Sequence, residues 1–157
     1  MSVLASIVDR SISGSFSSEV FKIGDYAFNS CKGLASVSFP KATDIGNGAF
    51  QGCNNLTEVS FPNATSIGEV AFNACTSLTS ASFPNATSIG DYAFYKCSNL
   101  TTIYVGTNTS TVCTLPSINV FGKCTNLANI YVPASLVDSY KSTTGWSNYA
   151  DKIKAAP

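Results

Sequence analysis

Thiols and carboxylates are the groups in this chain best suited to chemistry, and their spacing shows what they can do. Five of the six cysteines, Cys31, Cys53, Cys75, Cys97 and Cys124, recur at steps of 22 residues, with one longer step of 27 at the end. Such thiols could bind zinc, pair as disulfides or serve as nucleophiles. Zinc lacks a ligand set, because no Cys-x-x-Cys pair exists and the chain contains no histidine. Side chains that follow one another along a single repeat column run parallel, which opposes the dihedral a disulfide requires. Free, buried thiols and no disulfides are therefore expected, despite the even cysteine count. The absence of histidine also removes Ser–His and Cys–His activation and the most adaptable acid/base group. Paired-carboxylate chemistry needs acids that face one another, whereas Asp25, Asp44, Glu58, Glu69 and Asp91 read as dispersed over different coils and faces. No enzymatic activity, metal or cofactor is expected.

Those residues are positioned by one phrase, Ile-Gly-x-x-Ala-Phe-x-x-Cys-x-x-Leu-x-x-Val-x-Phe-Pro. It runs from Ile23 to Pro40, Ile45 to Pro62 and Ile67 to Pro84, then from Ile89 to Val105 without its proline, with a degraded copy from Val120 to Pro133. Self-similarity at this period means a stacked solenoid whose units bury their apolar side chains against their neighbours. Val37 and Phe39 alternate with Ser36 and Ser38, which predicts a short strand with one wet face that proline then ends. Equivalent strands should form a parallel sheet. Gly24 to Cys31 reads as one helical or 3₁₀ turn with Ala27 and Phe28 inward, and Asp25, Asn47, Glu69 and Asp91 recur where such a turn begins, placed to cap its free amides. Ala42 with Ile45, Ala64 with Ile67 and Ala86 with Ile89 supply a second inward pair.

The phrase resembles the BspA-type leucine-rich repeat over residues 23 to 133. That resemblance implies an α/β, right-handed leucine-rich-repeat solenoid with its parallel sheet on the concave side and short helical or 3₁₀ turns opposite. It also implies a cell-surface or secreted protein of adhesive or host-contact type, with no catalysis by the repeat itself. A cytoplasmic protein or a phage-particle component is the alternative location, and no signal peptide is evident at the amino terminus.

Composition agrees with a folded recognition or structural module. Across 157 residues the apolar share is 45% and the charged share 11%, which excludes disorder. Nine basic and nine acidic residues cancel without any basic tract, so neither nucleic acid nor an anionic membrane is an expected partner. Turn residues interrupt every apolar run, so membrane insertion is not expected either, and a monomer is.

A single domain over 1–157 divides into an N-terminal cap (1–22), five repeats (23–133) and a C-terminal helical cap (134–157). Within the first cap, residues 2–10 read as an amphipathic helix, followed by Ile12, Phe16, Val20 and Phe21 as a divergent coil. Within the last, Leu136, Val137 and Tyr140, then Trp146, Tyr149 and Ile153, fall at helical spacing around Gly145, with Trp146 as a plug over the final coil. An insertion within about 106–112 should protrude at the coil edge and places Cys113 on the column of Ala42, Ala64 and Ala86. Either it carries contacts or it is a tolerated surface loop. Of five glycosylation triplets, those at Asn55, Asn63, Asn85 and Asn99 are by-products of the repeat, and only Asn108 sits in a projecting loop.

Outward positions of the sheet include Ser38, Glu58, Ser60, Ser82, Thr102, Tyr104, Asn129 and Tyr131, the candidate ligand-binding residues. Tyr104 and Tyr131 become neighbours in one column beside the insertion. They suit contact with a protein or a glycan, or else form a cross-strand pair that only stabilises the sheet. The expected function is a non-catalytic recognition or adhesion module that binds a protein or glycan through the concave sheet and C-terminal edge. The alternative is a structural spacer in a larger assembly such as a surface layer or phage particle.

Overall fold

Alternating burial makes the strands. Val59 and Phe61 are buried while Glu58 and Ser60 are exposed, and Ala81 with Phe83, Ile103 with Val105 and Ile130 with Val132 repeat the pattern. The computed structural model describes residues 2–4, 14–15 and 19–157. In chain order its strands are β1 (Ser2–Leu4), β2 (Gly14–Ser15), β3 (Val20–Ile23), β4 (Val37–Ser38), β5 (Asp44–Ile45) and β6 (Glu58–Ser60). There follow β7 (Ser66–Ile67), β8 (Ser80–Phe83), β9 (Ser88–Ile89), β10 (Thr102–Val105) and β11 (Asn129–Val132). The helix α1 (Val137–Ser142) and strand β12 (Ile153–Ala155) complete the chain.

Among the described residues each rung contributes to two parallel sheets, where the repeat pattern foretold one. The long sheet runs β6-β8-β10-β11-β12, and a bridge between Ser36 and Glu58 continues it to the pair β4-β2. The second sheet runs β1-β3-β5-β7-β9 and is extended by a bridge from Ser88 to Thr114. Its strands are two to four residues long, too short to show alternation in the sequence. Threonine hydroxyls reinforce this side, with Thr65 donating to the Thr43 carbonyl and Thr87 to that of Thr65.

Tight turns build the third side of the first four rungs, and the 3₁₀ helix that the sequence also allowed forms in the fifth, at Ile118–Phe121. Alternate amides bond within the rung and to the next one: Ala27 N–H donates to Gly24 O and Asn29 N–H to Tyr26 O, while Tyr26, Phe28 and Ser30 donate to Asn47, Ala49 and Gln51. A helix would direct all of them along its own axis. Weaving between rungs requires left-handed backbone, found at Gly48 (φ 58°) and Gly52 (φ 71°) and, without glycine, at Val70 (φ 50°) and Ala74 (φ 59°). A side chain in that region costs roughly 1–2 kcal/mol. Ala74→Gly, which restores the residue that Gly52 supplies one rung earlier, is accordingly expected to stabilise the fold by about 1 kcal/mol. A higher urea midpoint checks it, and an unchanged or lower midpoint counts against the assigned strain.

Capping acts across rungs too. Asp25 Oδ1 accepts from Asn47 N–H at 2.8 Å and Asn47 Oδ1 from Glu69 N–H at 2.9 Å, so the side chain holds the following rung and not its own turn. The glycine of Ile-Gly has a different reason. A Cβ on Gly68 would lie 2.6 Å from backbone of the preceding rung, and on Gly90 2.5 Å.

The interior is two aromatic stacks. Phe28, Phe50, Phe72, Phe94 and Phe121 form one, with centroid spacings of 5.0, 5.2, 5.3 and 5.6 Å. Phe39, Phe61 and Phe83 form the other. Leu34, Leu56, Leu78 and Leu100 are buried beside them at 0% exposure.

Both ends differ from expectation. Residues 2–4, assigned to a helix from the sequence, form strand β1, paired with β3; the remainder of that segment, together with Ile12 and Phe16, lies outside the described residues. At the carboxyl end α1 and a 3₁₀ helix at Trp146–Tyr149 are present, but Ile153 belongs to β12 and not to a helix. The open edge of β11 decides this, because its amides and carbonyls need partners that a helix cannot offer: Ile130 N–H donates to Lys152 O. Trp146 is fully buried against Phe121 and Tyr140, a plug over the end of the first stack.

Candidate recognition face

The parallel register aligns the predicted binding residues in two columns of the long sheet. Ser60, Ser82, Tyr104 and Tyr131 follow one another, as do Glu58, Ser80, Thr102 and Asn129. Ser38, on β4, heads the first column beside Ser60, as the parallel Ser36–Glu58 bridge sets it, with Ser15 on its other side. The serines border a shallow cup of about 300 Å³ lined by Ser36, Glu58, Ser60, Ser80 and Ser82 together with Val37 and Val59. From β10 onward the surface rises abruptly, since Tyr104 and Tyr131 stack at 4.9 Å between centroids with 23° between planes.

Strand β12 adds a residue that the sequence reading missed. Lys154 stands in register with Tyr131, and its ammonium donates to Asn129 Oδ1, whose Nδ2 donates in turn to Thr102 Oγ1 at 3.4 Å. Assigning residues 146–153 to a helix hid this position.

The insertion is tied down on several sides. Asn108 N–H reaches Pro84 O at 2.8 Å, and Thr109 Oγ1 donates to the Gly106 and Thr111 carbonyls. Tyr140 Oη accepts from Cys113 N–H at 2.9 Å and Trp146 Nε1 donates to Cys113 O at 2.6 Å. Cys113 occupies the predicted alanine column, fixed there by Thr114 N–H donating to Thr87 O. Asn108 is exposed, whereas the amides of Asn63, Asn85 and Asn99 donate to carbonyls of the preceding rung.

The carboxylates are less scattered than the sequence suggested. Glu69 and Asp91 border one groove beside the second sheet, of about 440 Å³, and Asp25 and Asp44 another of about 400 Å³. Their oxygens serve the scaffold: Asp91 Oδ1 accepts from Tyr92 N–H and from the Ser117 hydroxyl, and Asp44 Oδ2 from Thr43 Oγ1. Among the described residues no group of three or more cysteines and acids could hold a metal ion.

None of the six cysteines is in a disulfide. Cys53, Cys75 and Cys97 donate at 3.1 Å to the carbonyls of Phe28, Phe50 and Phe72, and Cys124 to that of Phe94 at 3.0 Å. Burial lifts the Cys53 and Cys113 thiols to about 12 and pushes Cys75 up as well. Because an unfolded thiol ionises near 9.0, the unfolded chain loses protons that the folded chain retains. The stability these thiols contribute is fully present below that pH and is lost as pH rises towards 12, by up to about 1.4 kcal/mol per thiol per pH unit. Urea unfolding at pH 7, 9 and 10 should show this fall, which Cys53→Ala and Cys75→Ala should flatten. A stability independent of pH over that range would contradict it.

Known proteins place this geometry. The sequence profile of the BspA type leucine rich repeat region matches in six copies across residues 11–115 and 43–144. A leucine rich cell surface protein from Faecalibacterium prausnitzii A2-165 superimposes with a TM-score of 0.68 at 28% identity, over 92% of this chain and 36% of that one. The pneumococcal vaccine antigen PcpA gives 0.67 at 25% identity over 76% of this chain and 30% of that one. Treponema pallidum leucine rich repeat protein gives 0.58 at 20% identity over 99% and 91%, a likeness of fold. The chain thus spans about a third of the first two proteins. A search of curated proteins found no match. No helix among the described residues is long and apolar enough to cross a membrane. With the repeat profile covering most of its length and its rungs stacked as in those bacterial proteins, the chain belongs to the BspA-type leucine-rich repeat family.

Proposed function

We propose that this chain is a non-catalytic recognition module of a bacterial surface protein, binding a protein or glycan through the carboxyl-terminal half of its long sheet. Leucine-rich repeats are generally interaction modules, and the similar structures include cell surface proteins. The observation that carries the reading is the Tyr104–Tyr131 stack, which stands where the preceding strands place Ser60 and Ser82. Tyrosine offers contact area and a polar tip at low entropic cost. A cross-strand aromatic pair contributes only about 0.2–1 kcal/mol to a sheet.

A screen of immobilised glycans and surface proteins with the purified chain, repeated with the Tyr104→Ala/Tyr131→Ala double variant, tests this. Loss of at least about tenfold in affinity with the fold retained is the expected result. Full affinity in the double variant moves the site elsewhere.

A further inference from the structure

We infer that the β11–β12 end of this face takes an acidic sugar, a pyranose bearing a carboxylate, with Lys154 as the carboxylate's partner and Tyr131 as the ring's. The inference rests on the recognition reading above and names its ligand chemistry. No described carboxylate lies within ion-pair distance of Lys154, unlike Lys22, Lys41 and Lys152. Its ammonium carries three donors, and one is engaged by Asn129 Oδ1. That bond, continued to Thr102, positions the charge and leaves two donors for an anion. The two tyrosine rings stack on one another, and Lys154 stands in register with Tyr131 on the neighbouring strand β12. A carboxylate and a sugar ring fit that pair. Glu58, the carboxylate borne by the long-sheet strands, lies at the opposite end of the sheet order from Lys154, and Asp151 beside β12 is paired with Lys152 at 3.3 Å.

Chemistry also separates a sugar from an acidic peptide. Peptide and protein partners rely on apolar or aromatic anchors seated in pockets. Apart from the half-buried Tyr104–Tyr131 pair the long sheet offers no such anchor, since the exposed large hydrophobic residues among those described, Tyr26, Tyr92 and Ile118, all lie off it. Between that end and Glu58 at the far edge, the hydroxyls of Ser60, Ser80, Ser82 and Thr102 and the Asn129 amide line the face, which matches a polyhydroxylated ligand.

Calorimetric titration of the whole chain with 3′-sialyllactose and a hyaluronan tetrasaccharide, against lactose, chitotetraose and a tetraglutamate peptide, tests the inference. At least one acidic sugar should bind about tenfold or more tighter than the neutral sugars, with affinity falling as salt rises. Lys154→Gln should remove that preference at an unchanged melting temperature, and Lys32→Gln, exposed on the turn side, should leave it intact. Equal binding of acidic and neutral sugars overturns the inference but leaves the recognition reading standing. Binding of tetraglutamate alone does the same in favour of a protein partner. Binding by neither acidic sugar overturns the inference outright, whereas the recognition reading falls only if the broader screen and its double variant also fail.

Discussion

Phe72→Ala should lower the unfolding free energy by about 3–5 kcal/mol, the range for deleting a buried aromatic side chain. Phe72 is at 0% exposure and stacks on Phe50 at 5.2 Å and Phe94 at 5.3 Å, with Phe61 and Phe83 tilted against it at 6.1 and 5.7 Å. Neighbouring rungs cannot close in to fill the space, because their spacing is set by parallel ladders in both sheets and by bonds such as Phe50 N–H to Ala71 O. A residual cavity is therefore retained, and it lies between units whose mutual interface supplies their stability. Urea unfolding followed by circular dichroism measures the loss, with Phe72→Leu expected in between. A cost below about 1 kcal/mol would show that the ring column is not the packed interior.

Trp146→Ala should cost a similar 3–5 kcal/mol but with a different spatial pattern. The indole closes the Phe121 end of the stack and donates to Cys113 O at 2.6 Å, so its removal opens a cavity and leaves a buried carbonyl without its donor. In a stack with nearest-neighbour coupling the damage should stay at that end. Hydrogen exchange should show amides of residues 113–155 losing protection, while those of residues 45–94 keep theirs. Uniform loss along the chain would mean the rungs melt as one unit and the cap is not a local closure.

The interior was legible because periodicity alone identifies it. Phe28, Cys31, Leu34 and Phe39 recur with their counterparts, and a side chain present in every rung at one position must face its copies. The Tyr104–Tyr131 neighbourhood followed from the same counting, insertion included. Three features did not. The second sheet uses two-residue strands such as Asp44–Ile45, whose pattern is indistinguishable from a loop. The left-handed turns of the rungs are marked by glycine at Gly48 and Gly52, while Tyr26, Ser30, Val70, Ala74, Tyr92 and Lys96 adopt the same conformation unannounced. Strand β12 was concealed because Trp146, Tyr149 and Ile153 are spaced as well for a helix as for a turn followed by a strand.

The sequence by itself determined which side chains are dry, the order of the rungs and the outward rank of hydroxyls and tyrosines, since a repeat stacked on itself has one consistent inside. Only the tertiary structure decided where each polar group finds its partner: Asp25 on the next rung's amide, the Cys53 thiol on the carbonyl of Phe28, and Lys154 beside Tyr131. Those choices depend on distances between rungs and on the unpaired edge of the last strand, which come into being when the coils stack.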